Sequence, residues 1–184
     1  MNSHFPMLNI VCAALAFPKF KVKKTLELGC GEYSTPFFIE HSENHTAIET
    51  TGHEHEARSV EWYERIKSKY GNRITIELHD FNLSINAMKA ADADLIFVDG
   101  ATRRPEFVNA AFLYTTTVLA HDTEESGYGW EQVVVPFGWQ QFTRGSDIIP
   151  DPLNAWTTCW TKDIRLAAVL SAIGLTEKTI PRKG

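Results

Sequence analysis

Two stretches of this chain carry residue types that can do chemistry. The first is "TLELGCGEYSTPFF", Thr25 to Phe38, where Gly29 and Gly31 follow a short apolar run and precede a helix-like segment. Glycine lets backbone approach a bound group closely, so such a loop is suited to hold a ligand. The second is a pair of polar clusters. "VDGATRR" supplies Asp99, Arg103 and Arg104, and "LAHDTEE" supplies His121, Asp122, Glu124 and Glu125. An imidazole beside carboxylates can take up and return a proton near neutral pH.

The residues around the glycines narrow the ligand. A phosphate-binding P-loop is excluded, because no Gly-Lys-Ser/Thr follows. A dinucleotide loop asks for Gly-x-Gly-x-x-Gly, but this one runs Gly29-Cys30-Gly31-Glu32-Tyr33-Ser34 and lacks the third glycine. Glu49, twenty residues after Gly29, can accept from both hydroxyls of a ribose, a feature shared by all adenosine ligands. Glu27, two residues before Gly29, and Glu32 after Gly31 would repel a pyrophosphate but suit a ligand with a cationic part.

These residues need a scaffold that brings distant segments together. Residues 7–17 read as a helix broken by Pro18, "KTLELG" as a strand, "TPFFIEHS" as a helix and "HTAIET" as a second strand. "EARSVEWYERIKSKYG" is a helix whose inner stripe is expected at Val60, Tyr63, Ile66 and Tyr70, stopped by Gly71. "RITIELHD" alternates as a third strand, and "DLIFVDG" reads as a fourth strand buried on both faces. Pro105 opens a helix, and "TTTVLAHD" is the fifth strand. "NAWTTCWTKD" has strand character, "DIRLAAVLSAIG" looks helical, and residues 137–152 read as a long loop. Strands alternating with helices imply an α/β, doubly wound and mostly parallel sheet. Its ligands bind beyond the carboxyl ends of the strands, where Gly29, Glu49, Asp80, Asp99 and His121 all fall.

In this order of features the chain resembles the class I S-adenosylmethionine-dependent methyltransferases. Their Glu/Asp-x-Gly-x-Gly motif stands here as "ELGCG", followed by the acidic end of the second strand in "AIE", by Asp80, and by "DLIFVDG". The resemblance covers about residues 22–125 and implies a seven-stranded-type sheet flanked by helices, the Rossmann-like methyltransferase fold. It implies that Glu27 and the loop from Gly29 and Gly31 to Tyr33 and Ser34 face the methionine part of the donor. Glu49 would bind the ribose, Asp80 and Phe81 would lie near the adenine, and Asp99 would border the methyl group. Within that family the pairing of Asp99 with His121 and Asp122 resembles the catechol O-methyltransferase-like and macrocin-type sugar O-methyltransferases. There, acidic residues after the fourth and fifth strands hold Mg²⁺. His121 stands where those enzymes carry a carboxylate, so two mechanisms stay open: Asp99, His121 and Asp122 hold Mg²⁺ or Mn²⁺, or His121 is a general base oriented by a carboxylate.

The region of about residues 126–162 is expected on the acceptor side. Trp130, Trp139, Trp156 and Trp160 lie there with Tyr128, Phe137 and Phe142. Flat aromatic faces suit a sugar ring or small aromatic acceptor, and core packing accounts for at least half of them. Trp130 is the expected acceptor contact, with Arg103 and Arg104 available to clamp an anionic group or to pair with the nearby acids. The acceptor is expected to be a small molecule or a glycan end, with a carbohydrate hydroxyl favoured over a catechol.

Bulk properties are consistent with that picture. At 184 residues the chain reads as a single domain, 1–184, able to bury a real core. A net charge of −5 argues against a nucleic-acid partner. The apolar run from Ile10 to Phe17 is too short to cross a bilayer. Three widely spaced cysteines, Cys12, Cys30 and Cys159, read as reduced thiols of a cytoplasmic protein. The competing expectations are a noncatalytic adenosine-ligand binding module and an NAD-dependent oxidoreductase. "HEH", His53 to His55, reads as a polar helix start.

Overall fold

Seven strands form one sheet in the order β3-β2-β1-β4-β5-β7-β6. The strands are β1 (Val22–Leu28), β2 (Ser42–Thr50), β3 (Thr75–His79), β4 (Leu95–Val98), β5 (Thr117–His121), β6 (Gln140–Arg144) and β7 (Thr157–Thr161). The first five run parallel, whereas β7 is antiparallel to both β5 and β6. Among the described residues six α-helices flank the sheet: α1 (Phe5–Ala16), α2 (Ser34–His41), α3 (Glu56–Tyr70), α4 (Phe81–Ala91), α5 (Arg104–Ala111) and α6 (Ile164–Ala172). This is the Rossmann-like methyltransferase fold, seen in a computed structural model that describes residues 5–51, 56–100, 103–144 and 156–175. The "HEH" triplet lies outside the described residues.

Strand β4 shows how the sheet is buried. All four residues of "LIFV" are inaccessible. Leu95 and Phe97 pack with α1, α2 and α6 through Leu8, Phe38 and Leu170, while Ile96 and Val98 face the layer of Met88, Phe107 and Val108 from α4 and α5. The period-two alternation of a strand thus feeds two apolar layers, and an uninterrupted apolar run is the required sequence. A third cluster joins Tyr63, Ile66 and Tyr70 of α3 to Ala47 and Ile76.

Three local features differ from the sequence reading. The inner stripe of α3 begins at Ser59, which is buried, and not at Val60, which is 37% exposed. A polar inner residue hides this register: Ser59 is spent on a hydrogen bond to Glu49. Part of the expected loop at 137–152 is the edge strand β6, whose buried side chains include Phe142 and Thr143; residues 145–155 lie outside the described residues. Helix α4 was not apparent from apolar spacing. Asp80 announces it by capping, its carboxylate accepting from the Leu83 amide at 2.8 Å.

Candidate active site

The crossing of β1 and β4 fixes the floor of the site. Gly29 has φ +91°, and a Cβ there would lie 2.4 Å from the backbone of Gly100. Its amide donates to Ile48 O at 2.7 Å, and the Asp99 amide donates to Leu28 O at 2.8 Å. Only glycine satisfies both the left-handed backbone and the close approach. The carboxyl ends of β1, β2 and β4 are thereby drawn around one opening.

Glu27 holds the loop from below. It is fully buried. Its Oε2 accepts from the Thr35 hydroxyl at 2.6 Å, and Thr35 Oγ1 in turn accepts from the Gly31 amide at 2.9 Å. His45 Nε2 lies 3.3 Å from the same carboxylate oxygen. Oε1 of Glu27 is buried without a hydrogen-bond partner among the described residues. Ser34 and Thr35 are buried at the start of α2, while Tyr33 is more than half exposed at the mouth.

The opening above is a cavity of about 530 Å³, lined by the Gly29–Ser34 loop, Glu49, Arg58, Ser59, Trp62, Asp99, Gly100 and Tyr128. That is the size class of a small-molecule site. Glu49 sits in its wall, almost wholly shielded from water. Burial pushes its carboxyl up to about 7, although hydrogen bonds from Cys30, the Thr50 backbone and Ser59 pull the other way. A carboxylate held this way accepts readily from a hydroxyl pair. Trp62 and Arg58 were not anticipated: α3 brings them over the cavity, where the Trp62 indole N–H donates to Cys30 O at 2.5 Å. An indole amid the charged residues of an amphipathic helix was the available signal. The Cys30 thiol is buried and pushed far up by desolvation and by Glu49 and Glu27, so it is a packing group rather than a nucleophile.

Asp99 is the residue through which the cavity meets the polar cluster. His121 Nδ1 lies 3.1 Å from Asp122 Oδ1 and 3.5 Å from Asp99 Oδ1. Burial would lower the imidazole, but hydrogen bonds to Asp122 and Asp99 and their two negative charges outweigh it and push His121 up to about 9. Asp122 moves down: burial opposes its charge, yet His121 and Arg104 prevail. Asp122 also has φ +55°, a left-handed conformation that costs a non-glycine residue energy. It is held there by Arg104 and by the Trp130 indole, which donates to Asp122 O at 2.9 Å. Ligand atoms of Asp99, His121 and Asp122 all lie within 4.8 Å of one another, close enough to meet at one divalent ion.

The remaining candidates take other positions. Asp80 and Phe81 do not line the cavity: Asp80 caps α4, and Phe81 stacks beneath the Arg103 guanidinium at 3.4 Å. Arg103 also pairs with Glu106 at 3.1 Å. Arg104 is buried beneath the site. Trp130 is only 3% exposed and packs against Tyr128 and Trp160, so it supports Asp122 from behind. Trp160 and Phe142 are core residues, and Phe137 is fully exposed. Of the aromatic group, Tyr128 reaches the cavity wall.

Solved structures share this fold. A Klebsiella pneumoniae protein described as an O-methyltransferase superposes with a TM-score of 0.62 at 15% identity, covering 88% of this chain and 81% of that one. The O-methyltransferase TomG of Streptomyces achromogenes, solved with S-adenosylmethionine, superposes at 0.59 with 17% identity over 88% and 81%. A spermidine synthase bound to the transition-state analogue AdoDATO superposes at 0.55 with 18% identity over 97% and 67%. No protein-family model and no curated protein matches the sequence. The class defined is therefore a fold, one that carries methyl transfer in TomG and spermidine synthesis in another protein.

Proposed function

We propose that this chain is an S-adenosylmethionine-dependent O-methyltransferase acting on a small acceptor, a sugar hydroxyl or glycan end in the finer reading. The observation that carries it is the placement of Glu49 and Asp99 in one cavity wall beneath the Gly29 loop. Glu49 suits the ribose diol. The cavity rim carries carboxylates, Glu32 and Asp99, where a cationic sulfonium is favoured over a pyrophosphate. TomG, solved with S-adenosylmethionine, supports the reading by fold.

The donor supplies a methyl group already activated for in-line displacement, so the chain needs to align the acceptor and receive its proton. The acceptor oxygen forms the new C–O bond as the C–S bond breaks, and its proton passes to the Asp99–His121–Asp122 cluster. Because these groups are coupled, the titration near 9 belongs to the cluster as a unit. With Arg104 counted, the cluster is neutral when His121 is protonated and carries one negative charge when it is not. The deprotonated form both accepts the proton and attracts the sulfonium. Tyr128 in the cavity wall and the polar Asp99–His121–Asp122 cluster beside it support a hydroxyl acceptor. The three cysteines are buried and none forms a disulfide, which supports a reducing, cytoplasmic compartment. Among the described residues no helix is long and apolar enough to cross a membrane.

The test is donor turnover across a panel of sugars and phenols, with S-adenosylmethionine and its decarboxylated form offered in parallel. The expected result is S-adenosylhomocysteine and a methyl ether. Turnover of the decarboxylated donor alone would reassign the chain to aminopropyl transfer, and binding without turnover would favour a noncatalytic adenosine module.

A further inference from the structure

We propose that Arg104 is the resident cation of the Asp99–Asp122 carboxylate pair and takes the place of a divalent metal there. The residues that converge on one point, two carboxylates and an imidazole, make a plausible donor set for Mn²⁺. The position is nevertheless already neutralised. Arg104 Nη1 lies 3.1 Å from Asp122 Oδ2, and Nη2 lies 3.4 Å from Asp99 Oδ1. One guanidinium thus spans the two carboxylates that a metal would have to bridge.

The local backbone explains why Arg104 does not swing aside. Arg103 adopts φ +55° immediately before α5, and Arg104 opens that helix with its side chain turned under the site. Nε donates to Gly100 O at 2.5 Å, at the end of β4, and Nη1 donates to His121 O at 2.8 Å, at the end of β5. The guanidinium plane also lies 4.0 Å from the centre of the Tyr128 ring. The side chain is 5% exposed. Its donors are committed to both strand ends and to both carboxylates, an arrangement that suits the planar fork of arginine and no point charge.

Charge counting favours the same conclusion. Two carboxylates and one guanidinium leave a single negative charge for any further cation. A divalent ion seated among Asp99, His121 and Asp122 would make the group net positive, beside a guanidinium that is almost wholly buried. Buried like charges a few ångströms apart are strongly unfavourable. Arg104 therefore acts as a positioning residue: it fixes the carboxylates and the two strand ends without touching the reacting atoms. This inference rests on the proposed methyl transfer only for the purpose of the cluster. The occupancy itself does not depend on it.

Mn²⁺ titration of the full-length protein, followed by electron paramagnetic resonance, tests the occupancy without any turnover. The expected result is no saturable site in the wild type up to about 1 mM, the upper range of weak oxygen-ligand sites. Arg104→Gln is expected to gain a saturable site that the added change Asp99→Asn abolishes. Saturable binding in the wild type that Asp99→Asn removes would overturn the proposal. So would a folded Arg104→Gln protein that gains no site. If Arg104→Gln does not fold, the wild-type titration decides, with Asp99→Asn as its control. Once an acceptor is in hand, the same turnover with and without chelator is a separate readout. Its failure to yield product would count against methyl transfer and leave the Mn²⁺ result standing.

Discussion

If Glu49 receives the ribose hydroxyls, donor binding must depend on pH in a defined way. In the ligand-free protein burial holds Glu49 near 7, against an ordinary value of 4.5. Hydroxyl donors favour the ionised carboxylate, so binding draws its proton off. About a tenth of the site is ionised at pH 6 and about nine-tenths at pH 8, which makes binding about tenfold tighter at the higher pH. At pH 6.5 the complex should release roughly three-quarters of a proton, measured by calorimetry with S-adenosylhomocysteine in buffers of different ionisation enthalpy. Stability without ligand runs in the opposite direction. The folded state holds the proton that the unfolded chain has lost, so stability falls as pH rises from about 4.5 to about 7, by about 3 kcal/mol at most. Glu49→Gln should therefore raise the melting temperature at pH 8 while flattening and weakening ligand binding. Affinity that is constant from pH 6 to 8, with no proton release, would refute this role for Glu49.

Gly29→Ala forces a Cβ to 2.4 Å from Gly100 backbone at a positive φ, so thermal unfolding should show a loss of roughly 2 kcal/mol or more and ligand binding should disappear. Turnover should rise with pH towards about 9, where the Asp99–His121–Asp122 cluster loses its proton; a pH–rate profile that is flat between 7 and 9 would count against the cluster as base. The same raised value stabilises the fold below about 6.5, and that stability is lost as pH rises through about 9, which His121→Gln should abolish in a pH series of melting temperatures. Asp99→Asn should cut turnover roughly 100-fold or more, with S-adenosylhomocysteine affinity changing less. Asp80→Ala should cost about 1 kcal/mol as a lost helix cap and leave the dissociation constant unchanged, whereas an adenine contact would show in binding as well as in melting.

The parallel half of the fold was legible because each element advertised its burial. "DLIFVDG" suited a strand buried on both faces, which β4 is, and Gly29 to Gly31 marked the loop that follows β1. Strand β6 was hidden because an edge strand has one paired side and a mixed sequence, and "QQFTR" sits among glycines and a proline that suggest a loop. Helix α4 lacked an apolar stripe, since its buried residues include Ser84 as well as Met88. In the site, residues at strand ends could be placed from sequence: Glu49, Asp99, His121 and Asp122 fall where the strand order puts them. Residues that arrive from helices could not. Ser59 and Trp62 face the cavity through the rotation of α3. Arg104 was legible as a partner of the nearby acids, but its route to them, through a left-handed turn at Arg103, is a backbone state that residue type does not announce. Trp130 had the right type for an acceptor wall, but it opens the short helical turn Trp130–Gln132 and packs inward against Trp160.

The most direct test of the central claim is a crystal structure of the protein with S-adenosylhomocysteine. The ribose is expected against Glu49, the amino-acid part over the Gly29–Gly31 loop, and the sulfur on the side of the cavity where Asp99 faces His121 and Asp122. A nucleoside bound away from Glu49, or a sulfur turned away from Asp99, would contradict the account.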